Sequence, residues 1–498
     1  MKKIKSRLSL IFASHVLKKN QSWKKNPEAF QKKTMLQLIE RAKKTKFGED
    51  HSFEKIKTHE DFQNNIPIRD YEGLSNYIDL IKNGKENVLW PGLPKYFCKT
   101  SGTTSGTKYI PLSKESLKNQ INTARDAILT YINETKNTAI YNGKMIFIQG
   151  SPELDMTGKI PTGRLSGIVA HHIPFYLKKN RLPSFDSNCI DDWEEKINAI
   201  VEETINEDMS LISGIPPWIQ MYFERLVEKS GKSIKSLFPN FNLFVYGGVN
   251  YKPYKKTMER LIGGSVDGVE LYPASEGFIA YQDSQHEEGM LLCVNNGIFF
   301  EFIETEKFFN KKPKRITIED VEIGVDYVII LNTDSGLWGY NIGDTIKFVS
   351  IKPYRIIVSG RLKHFTSAFG EHVIAQEVEK SINSCVQKHR AEITDFHVAP
   401  FVSSEKSQSR HQWFIEFLQE PKEFSKFEKD LDCALQNQNT YYKDLVDGSI
   451  LSRLEIIKIK KNGFNDYMKS IGKLGGQNKI PRLSNDRIVA EKLIKLRV

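Results

Sequence analysis

Tyr327-Val328-Ile329-Ile330-Leu331 is an unbroken run of five apolar residues, and its reading decides how the rest of the chain is understood. A strand with one solvated face alternates apolar and polar residues, whereas a short run without alternation fits a strand covered on both faces. Met145-Ile146-Phe147-Ile148 and Leu243-Phe244-Val245-Tyr246 repeat the pattern. Residues 193–206 and 216–229, lying between such runs, carry helical periodicity, and the second segment opens on Pro216-Pro217, a helix-start signal. Buried strands alternating with helices predict an α/β fold.

Working outward, the first 90 residues read as helical, with Met35, Leu36, Ile39 and Ala42 on one face of a segment ending near Lys46-Phe47-Gly48. A boundary falls at residues 352–365, where strand-like Ile356-Ile357-Val358 gives way to polar Ser359-Gly360-Arg361-Leu362-Lys363. Beyond it, residues 371–386 and 421–438 read as helices, and 412–418 and 450–459 as strands. The expected organisation is a large α/β domain over 1–355, including the helical N-terminal segment, and a smaller α+β domain over 362–498.

Composition narrows the function. The chain has 498 residues, 39% hydrophobic and 27% charged, with 19 Pro, which excludes disordered and collagen-like classes. Its net charge is +11, from 72 Lys and Arg against 61 Asp and Glu. Residues 1–50 hold 14 cations and 4 acids, so nearly all of the excess sits there and the body is close to neutral. That distribution argues against an extended nucleic-acid surface. Cys98, Cys189, Cys293, Cys385 and Cys433 form no CxxC pair and read as reduced core thiols of a cytoplasmic protein. No run of 18 apolar residues suggests a membrane span. At the N-terminus Ile4, Leu8, Ile11 and Phe12 follow helical spacing, which predicts an amphipathic helix packed on the body; peripheral contact with a membrane surface is the alternative.

Three stretches carry candidate chemistry. Ser101-Gly102-Thr103-Thr104-Ser105-Gly106-Thr107-Lys108 concentrates hydroxyls, two glycines and a lysine, a composition whose N–H and O–H donors can surround phosphate oxygens. Its glycine and lysine spacing is not that of a Walker loop, and its serine is one place late for a nucleophile elbow. A Ser/Thr/Gly surface turn is the structural alternative. Tyr272-Pro273-Ala274-Ser275-Glu276 ends an apolar run in a turn that presents an aromatic ring, a hydroxyl and a carboxylate: either a ring platform with a metal-binding Glu276, or a strand end with an exposed acid. Trp338-Gly339-Tyr340-Asn341-Ile342-Gly343-Asp344 holds an acid that can accept from the two hydroxyls of a ribose. Elsewhere, His171-His172 is either a structural pair or a base lining a substrate pocket, and Arg164 either a helix-surface cation or a partner for a substrate carboxylate.

The order of these motifs resembles the adenylate-forming ligases and, within them, the plant auxin-responsive acyl acid–amido synthetase family and its bacterial relatives. Residues carrying the resemblance include Trp23-Lys24-Lys25-Asn26-Pro27, Thr45-Lys46-Phe47-Gly48, the 101–108 loop, Val245-Tyr246-Gly247-Gly248, Tyr272 to Glu276, Tyr340 to Asp344, and Gly475-Gly476-Gln477-Asn478-Lys479-Ile480-Pro481-Arg482. The resemblance implies that the 101–108 loop, with Lys108, holds the phosphates of ATP. Tyr246, Gly247, Gly248, Tyr272 and Ser275 would line the nucleotide cleft, Glu276 would bind Mg²⁺, and Asp344 the ribose. Lys479, in a mobile C-terminal domain, would reach the phosphate or acyl-adenylate. Arg361 falls in the hinge motif, where Gly360-Arg361-Leu362-Lys363-His364 carries histidine in place of the superfamily's aspartate. The implied activity is adenylation of a carboxylic acid followed by acyl transfer to an amine such as an amino acid. A thiol acceptor such as coenzyme A, or a nucleotide-binding or membrane-peripheral protein without turnover, are the alternatives. The oligomeric state is not readable.

Overall fold

The structure, a computed structural model, describes all residues except 1, 102–106, 174–178, 191, 249–250, 363–364, 367–372, 402–408, 448–450, 475–479 and 485–486. The chain divides into two compact units, one of Met1–Ile342 with Ile346–Val358, the other of Gly343–Thr345 with Ser359–Val498.

The first unit is built on a mixed sheet whose strand order among the described residues runs Ile298–Glu304, Asp326–Thr333, Tyr340–Ile351, Tyr354–Arg361, Met290–Leu292, Gly277–Tyr281, Asp267–Ala274, Leu243–Gly247, Met209–Gly214, Lys144–Ile148 and Arg181–Leu182, with Gly343–Thr345 and the strand end from Ser359 counted in the second unit. The last five are mutually parallel. Helices Pro216–Ser230 and Lys252–Ile262 make the crossovers between parallel neighbours, each with proline in its first turn and glycine in the left-handed conformation at its end. Val328 to Leu331 and Leu243 to Val245 are buried, as expected of strands covered on both faces. A smaller sheet pairs Tyr96–Ser101 antiparallel with Thr107–Leu112 and parallel with Ile160–Gly163. The mixed α/β class read from the sequence is therefore the class observed.

The helical N-terminal segment is pinned to the sheet by polar groups as well as apolar ones. Gln31, on helix Pro27–Ala42, donates to the carbonyls of Val294 and Ile298 at 2.8 and 2.9 Å and accepts from the Phe300 amide at 2.8 Å. Deeper in, Glu301 is fully buried and accepts from His59 Nε2 at 2.9 Å, Asn332 Nδ2 at 3.1 Å and the Arg315 guanidinium at 3.2 Å. Arg315 donates in turn to the carbonyls of Gln63 and Ile66, both at 2.8 Å. A charge removed from water this completely is tolerated only when paired and hydrogen-bonded.

In the second unit, strands Glu392–Phe401, Arg410–Gln419 and Glu455–Ile459 form a sheet with helices on both faces. The two-residue period is visible in burial: Trp413 and Ile415 join the cluster under helices Ala375–His389 and Phe424–Gln438, while Phe414 packs with Phe464, Tyr467 and Leu493 on the other side.

Two expectations are corrected. Helix Lys2–Lys25 buries Ala13, Val16 and Trp23 in the first unit, whereas Leu8, Ile11 and Phe12, predicted to pack inward, are 60%, 68% and 48% exposed. Ala13, Val16 and Trp23 share a core cluster with Ala127, Leu129 and Tyr131 of helix Lys114–Thr135, so the face that bears them is the one turned inward. The Ile4 side chain lies outside the description. Of the five cysteines, all free, Cys98, Cys293 and Cys385 are core residues, but Cys433 is exposed and Cys189 half-buried. Among the described residues no helix is long and apolar enough to cross a membrane.

Candidate active site

In an open sheet with parallel strands, ligands bind beyond the carboxyl ends of those strands, where loops leave the sheet and no side chain from a following turn fills the space. Here the ends in question are Ile148, Gly214, Gly247 and Ala274. Gly247 is required by close approach: a Cβ there would lie 2.2 Å from the Leu271 carbonyl oxygen on the neighbouring strand. Gly248 and Ser275 continue from two of these ends, Gly248 with positive φ, and Ser275-Glu276 forms the two-residue turn between paired Ala274 and Gly277.

Glu276 is half-buried. The Tyr340 phenol, 1% exposed, donates a hydrogen bond to it, and burial together with the Glu276 charge pushes the Tyr340 pKa strongly up. Glu276 also acts electrostatically on Cys98, whose thiol is raised chiefly by burial and further by the carboxylate. Cys98 lies in strand Tyr96–Ser101, which runs directly into the hydroxyl-rich loop. The turn with Glu276, the segment with Tyr340 and the strand feeding the loop therefore meet in one place. Tyr340 itself is held from both sides, since Arg69 N donates to Gly339 O at 2.8 Å and Asn341 N to Arg69 O at 2.7 Å. Gly339 has φ +56°, and a Cβ on it would strike the Pro67 carbonyl oxygen at 2.4 Å.

Of the loop, residues 102–106 lie outside the described residues, as do the side chains of Ser101 and Thr107. Lys108 is described: it pairs across the hairpin with Thr100, and its ammonium stands 5.8 Å from the centre of the Tyr71 ring. Lys479 and the Arg361 side chain are likewise outside the description, although the Arg361 backbone ends strand Tyr354–Arg361. Asp344 is buried, 6% exposed, and belongs to the second unit, where Leu362 N donates to Gly343 O at 2.6 Å and Ser359 Oγ to Thr345 Oγ1 at 3.0 Å.

The two tyrosines expected in the cleft differ. Tyr272 is half-buried on strand Asp267–Ala274, one residue past the Gly247 pairing. Tyr246 has its ring 4.5 Å from Tyr251 and 5.0 Å from Phe244, centre to centre, and packed over Gly268. Burial and the neighbouring Glu270 carboxylate raise its pKa. One aromatic face of Tyr246 is thus already occupied by protein.

Arg164 precedes helix Leu165–His171, and its side chain lies across Gly150, where a Cβ would be 2.6 Å from the Arg164 Cδ. This puts the cation just past the end of parallel strand Lys144–Ile148. His171 Nε2 contacts Pro152 O at 2.7 Å; a carbonyl only accepts, so that nitrogen carries a proton and is not a base. His172 Nε2 meets the Tyr96 hydroxyl at 3.0 Å, and burial, with Lys95 and His171 adding, lowers its pKa. Tyr96 begins the strand whose other end enters the loop, five residues and about 17 Å away.

Tyr340 and Cys98 are the neighbours of Glu276 that sequence reasoning did not single out. Tyr340 stands in a stretch chosen for Asp344, and its pairing with a residue 64 positions earlier depends on strand order that motif spacing does not encode. Among the described residues no group of three or more His, Cys, Asp or Glu could hold a metal ion by itself.

Residues 16–191 match the GH3 family N-terminal domain, 291–361 the GH3 family central domain and 376–488 the GH3 family C-terminal domain. The chain is 24% identical, over 85% of its length and 85% of the relative's, to the indole-3-acetic acid-amido synthetase GH3.15 of Arabidopsis thaliana. Its fold superposes on the GH3.15 acyl acid amido synthetase structure with a TM-score of 0.80 at 15% identity, covering 97% and 96% of the two chains. It superposes on a 2-hydroxyisobutyryl-CoA ligase in its postadenylation state with a TM-score of 0.58 at 12% identity, covering 93% and 90%. With three consecutive domain models spanning well over half of its length, and a relative aligned over 85% of both chains, the chain belongs to the GH3 family.

Proposed function

We propose that the protein is an ATP-dependent acyl acid–amido synthetase. It adenylates a carboxylic acid, releasing pyrophosphate, and transfers the acyl group to an amino acid, releasing AMP. The observation that carries this reading is the succession of three GH3 domains in a chain aligned over most of its length with an indole-3-acetic acid-amido synthetase.

The chemistry explains the residue types. A carboxylate is a poor electrophile, so one oxygen attacks the α-phosphorus of ATP and the pyrophosphate bond breaks; the acyl carbon then carries AMP as leaving group. The amine attacks that carbon, AMP departs with the bonding pair and the amine loses a proton. The first step brings an anion to a polyanion, so catalysis is positioning and charge neutralisation, with no cysteine or serine nucleophile needed. In this reading Lys108, at the base of the hairpin, and the amides and hydroxyls of residues 101–107 grip the phosphates. Tyr272 and Ser275 border the nucleotide; the family resemblance gives Asp344 to the ribose, Arg361 to the hinge motif and Lys479 to the phosphate or acyl-adenylate. Arg164 is offered to a substrate carboxylate.

Mg²⁺ is commonly held by one or two protein carboxylates plus substrate phosphates, and the half-buried Glu276 beside the strand that feeds the loop supports such a role. Glu276 would hold that ion, which supplies charge neutralisation of the phosphates when bound. The Tyr340 hydroxyl fixes one side of the carboxylate. The five free cysteines support action in the reducing cytoplasm.

The test is to incubate the protein with ATP, Mg²⁺, a panel of aromatic and aliphatic acids and a mixture of amino acids, and to read products by mass. Amide, AMP and pyrophosphate are expected. A thioester formed only with coenzyme A would reassign the acceptor, and ADP would remove the adenylation reading.

A further inference from the structure

Helix Lys2–Lys25 has two unlike faces. The inner one, with Ala13, Val16 and Trp23, packs on the first unit, and Lys24 closes it with an ion pair to Asp283 at 3.5 Å. On the outer face Leu8, Ile11 and Phe12 fall at positions one helical turn apart and all project into solvent, followed by exposed His15 and Lys18. Among the described residues, other exposed large apolar side chains such as Met156, Phe309 and Ile488 are far apart in the sequence. The helix carries eight Lys or Arg residues and no Asp or Glu.

We propose that this face is a docking surface for an anionic lipid bilayer, with Leu8, Ile11 and Phe12 entering the boundary between headgroups and acyl chains while the cations of the same helix meet lipid phosphates. An interfacial helix needs apolar side chains to enter the bilayer and cations to meet the headgroups, and the described residues supply the exposed apolar triad together with exposed Lys18 and Lys25. Nucleic acid would use the cations and leave the apolar triad wet. A second copy docking through the same face would set two clusters of cations against each other without a carboxylate on either helix. The bilayer satisfies both halves of the face.

Flotation of the full chain with vesicles tests this. The protein is expected to rise with vesicles of phosphatidylcholine mixed with phosphatidylglycerol, to stay behind with phosphatidylcholine alone, and to be released by high salt. The double substitution Leu8→Glu, Ile11→Glu, on side chains that touch no core, is expected to lower partitioning at least about tenfold with the circular dichroism spectrum unchanged. Flotation that is equal for wild type and variant, or absent with the anionic vesicles, would overturn the proposal. So would a wild-type dimer, seen by light scattering, that the substitution splits, because the face would then belong to a second copy.

Discussion

Two glutamates in the same unit, one buried in a polar network and one proposed to act in the chemistry, occupy unlike environments. Glu301 lies beneath the N-terminal helices with no exposed surface, receiving hydrogen bonds from His59, Asn332 and Arg315. Glu276 sits in a two-residue turn beyond the parallel strands, half-buried, with the Tyr340 phenol donating to it and a loop-bearing strand alongside. The first carboxylate has its partners built in, from three directions, and works for the fold. The second lies in a turn beside the strand that feeds the hydroxyl-rich loop, with a neutral phenol among its partners.

The comparison can be broken in order of effect. Glu301→Ala should cost about 3 to 5 kcal/mol of stability, because it strands the Arg315 guanidinium in the interior, and denaturant melts should show it; a loss below about 1 kcal/mol would mean the network is not what holds the helices to the sheet. Glu276→Gln should leave the melting temperature within a few degrees of wild type and reduce adenylation about 10² to 10³-fold, comparable to loss of one electrostatic stabiliser at a reacting phosphate. Asp344→Asn should weaken ATP binding by about 1.5 to 3 kcal/mol, the usual worth of hydrogen bonds to a charged group, measured by titration calorimetry. Tyr340→Phe removes one donor and should cost only about 0.5 to 1.5 kcal/mol of stability, with a modest fall in adenylation rate. Should Tyr340→Phe match Glu276→Gln in lost rate, the phenol would be taking part in the chemistry and not merely holding the carboxylate.

Sequence patterns reported the fold well where local physics decides it. The uninterrupted run at residues 327–331 is the centre of strand Asp326–Thr333, and the periodic segment after Pro216-Pro217 is helix Pro216–Ser230. The strand expected over 450–459 is confined to Glu455–Ile459, and the helix expected to run to about residue 46 stops at Ala42, with Lys46–Asp50 forming a separate turn. At that second place Thr45 caps the new helix by accepting from the Gly48 amide, a local signal that apolar periodicity overlooks. The N-terminal helix was legible as a helix, but the face it buries was not. Which side turns inward depends on packing against a helix about 100 residues away in sequence, which the segment's own periodicity does not encode.

The candidate site divides the same way. Glu276 was legible as part of a turn that presents a ring, a hydroxyl and a carboxylate and through the family resemblance, and the structure puts it beside the strand entering the hydroxyl-rich loop. Its contact with Tyr340 was hidden, because two motifs 64 residues apart become neighbours only through the order of strands in the sheets. His171 and His172 looked equally open to catalytic use in sequence, yet each is engaged, one by a backbone carbonyl and one by Tyr96 at the far end of the strand from the loop.

The most direct measurement is acid-dependent exchange of radiolabelled pyrophosphate into ATP, run on wild type and Glu276→Gln beside their thermal melts. The account predicts exchange that appears only when a suitable acid is added, that falls about 10² to 10³-fold in the variant, and that does so with little change in melting temperature. Undiminished exchange in the variant, or a fall that tracks loss of folding, would contradict it.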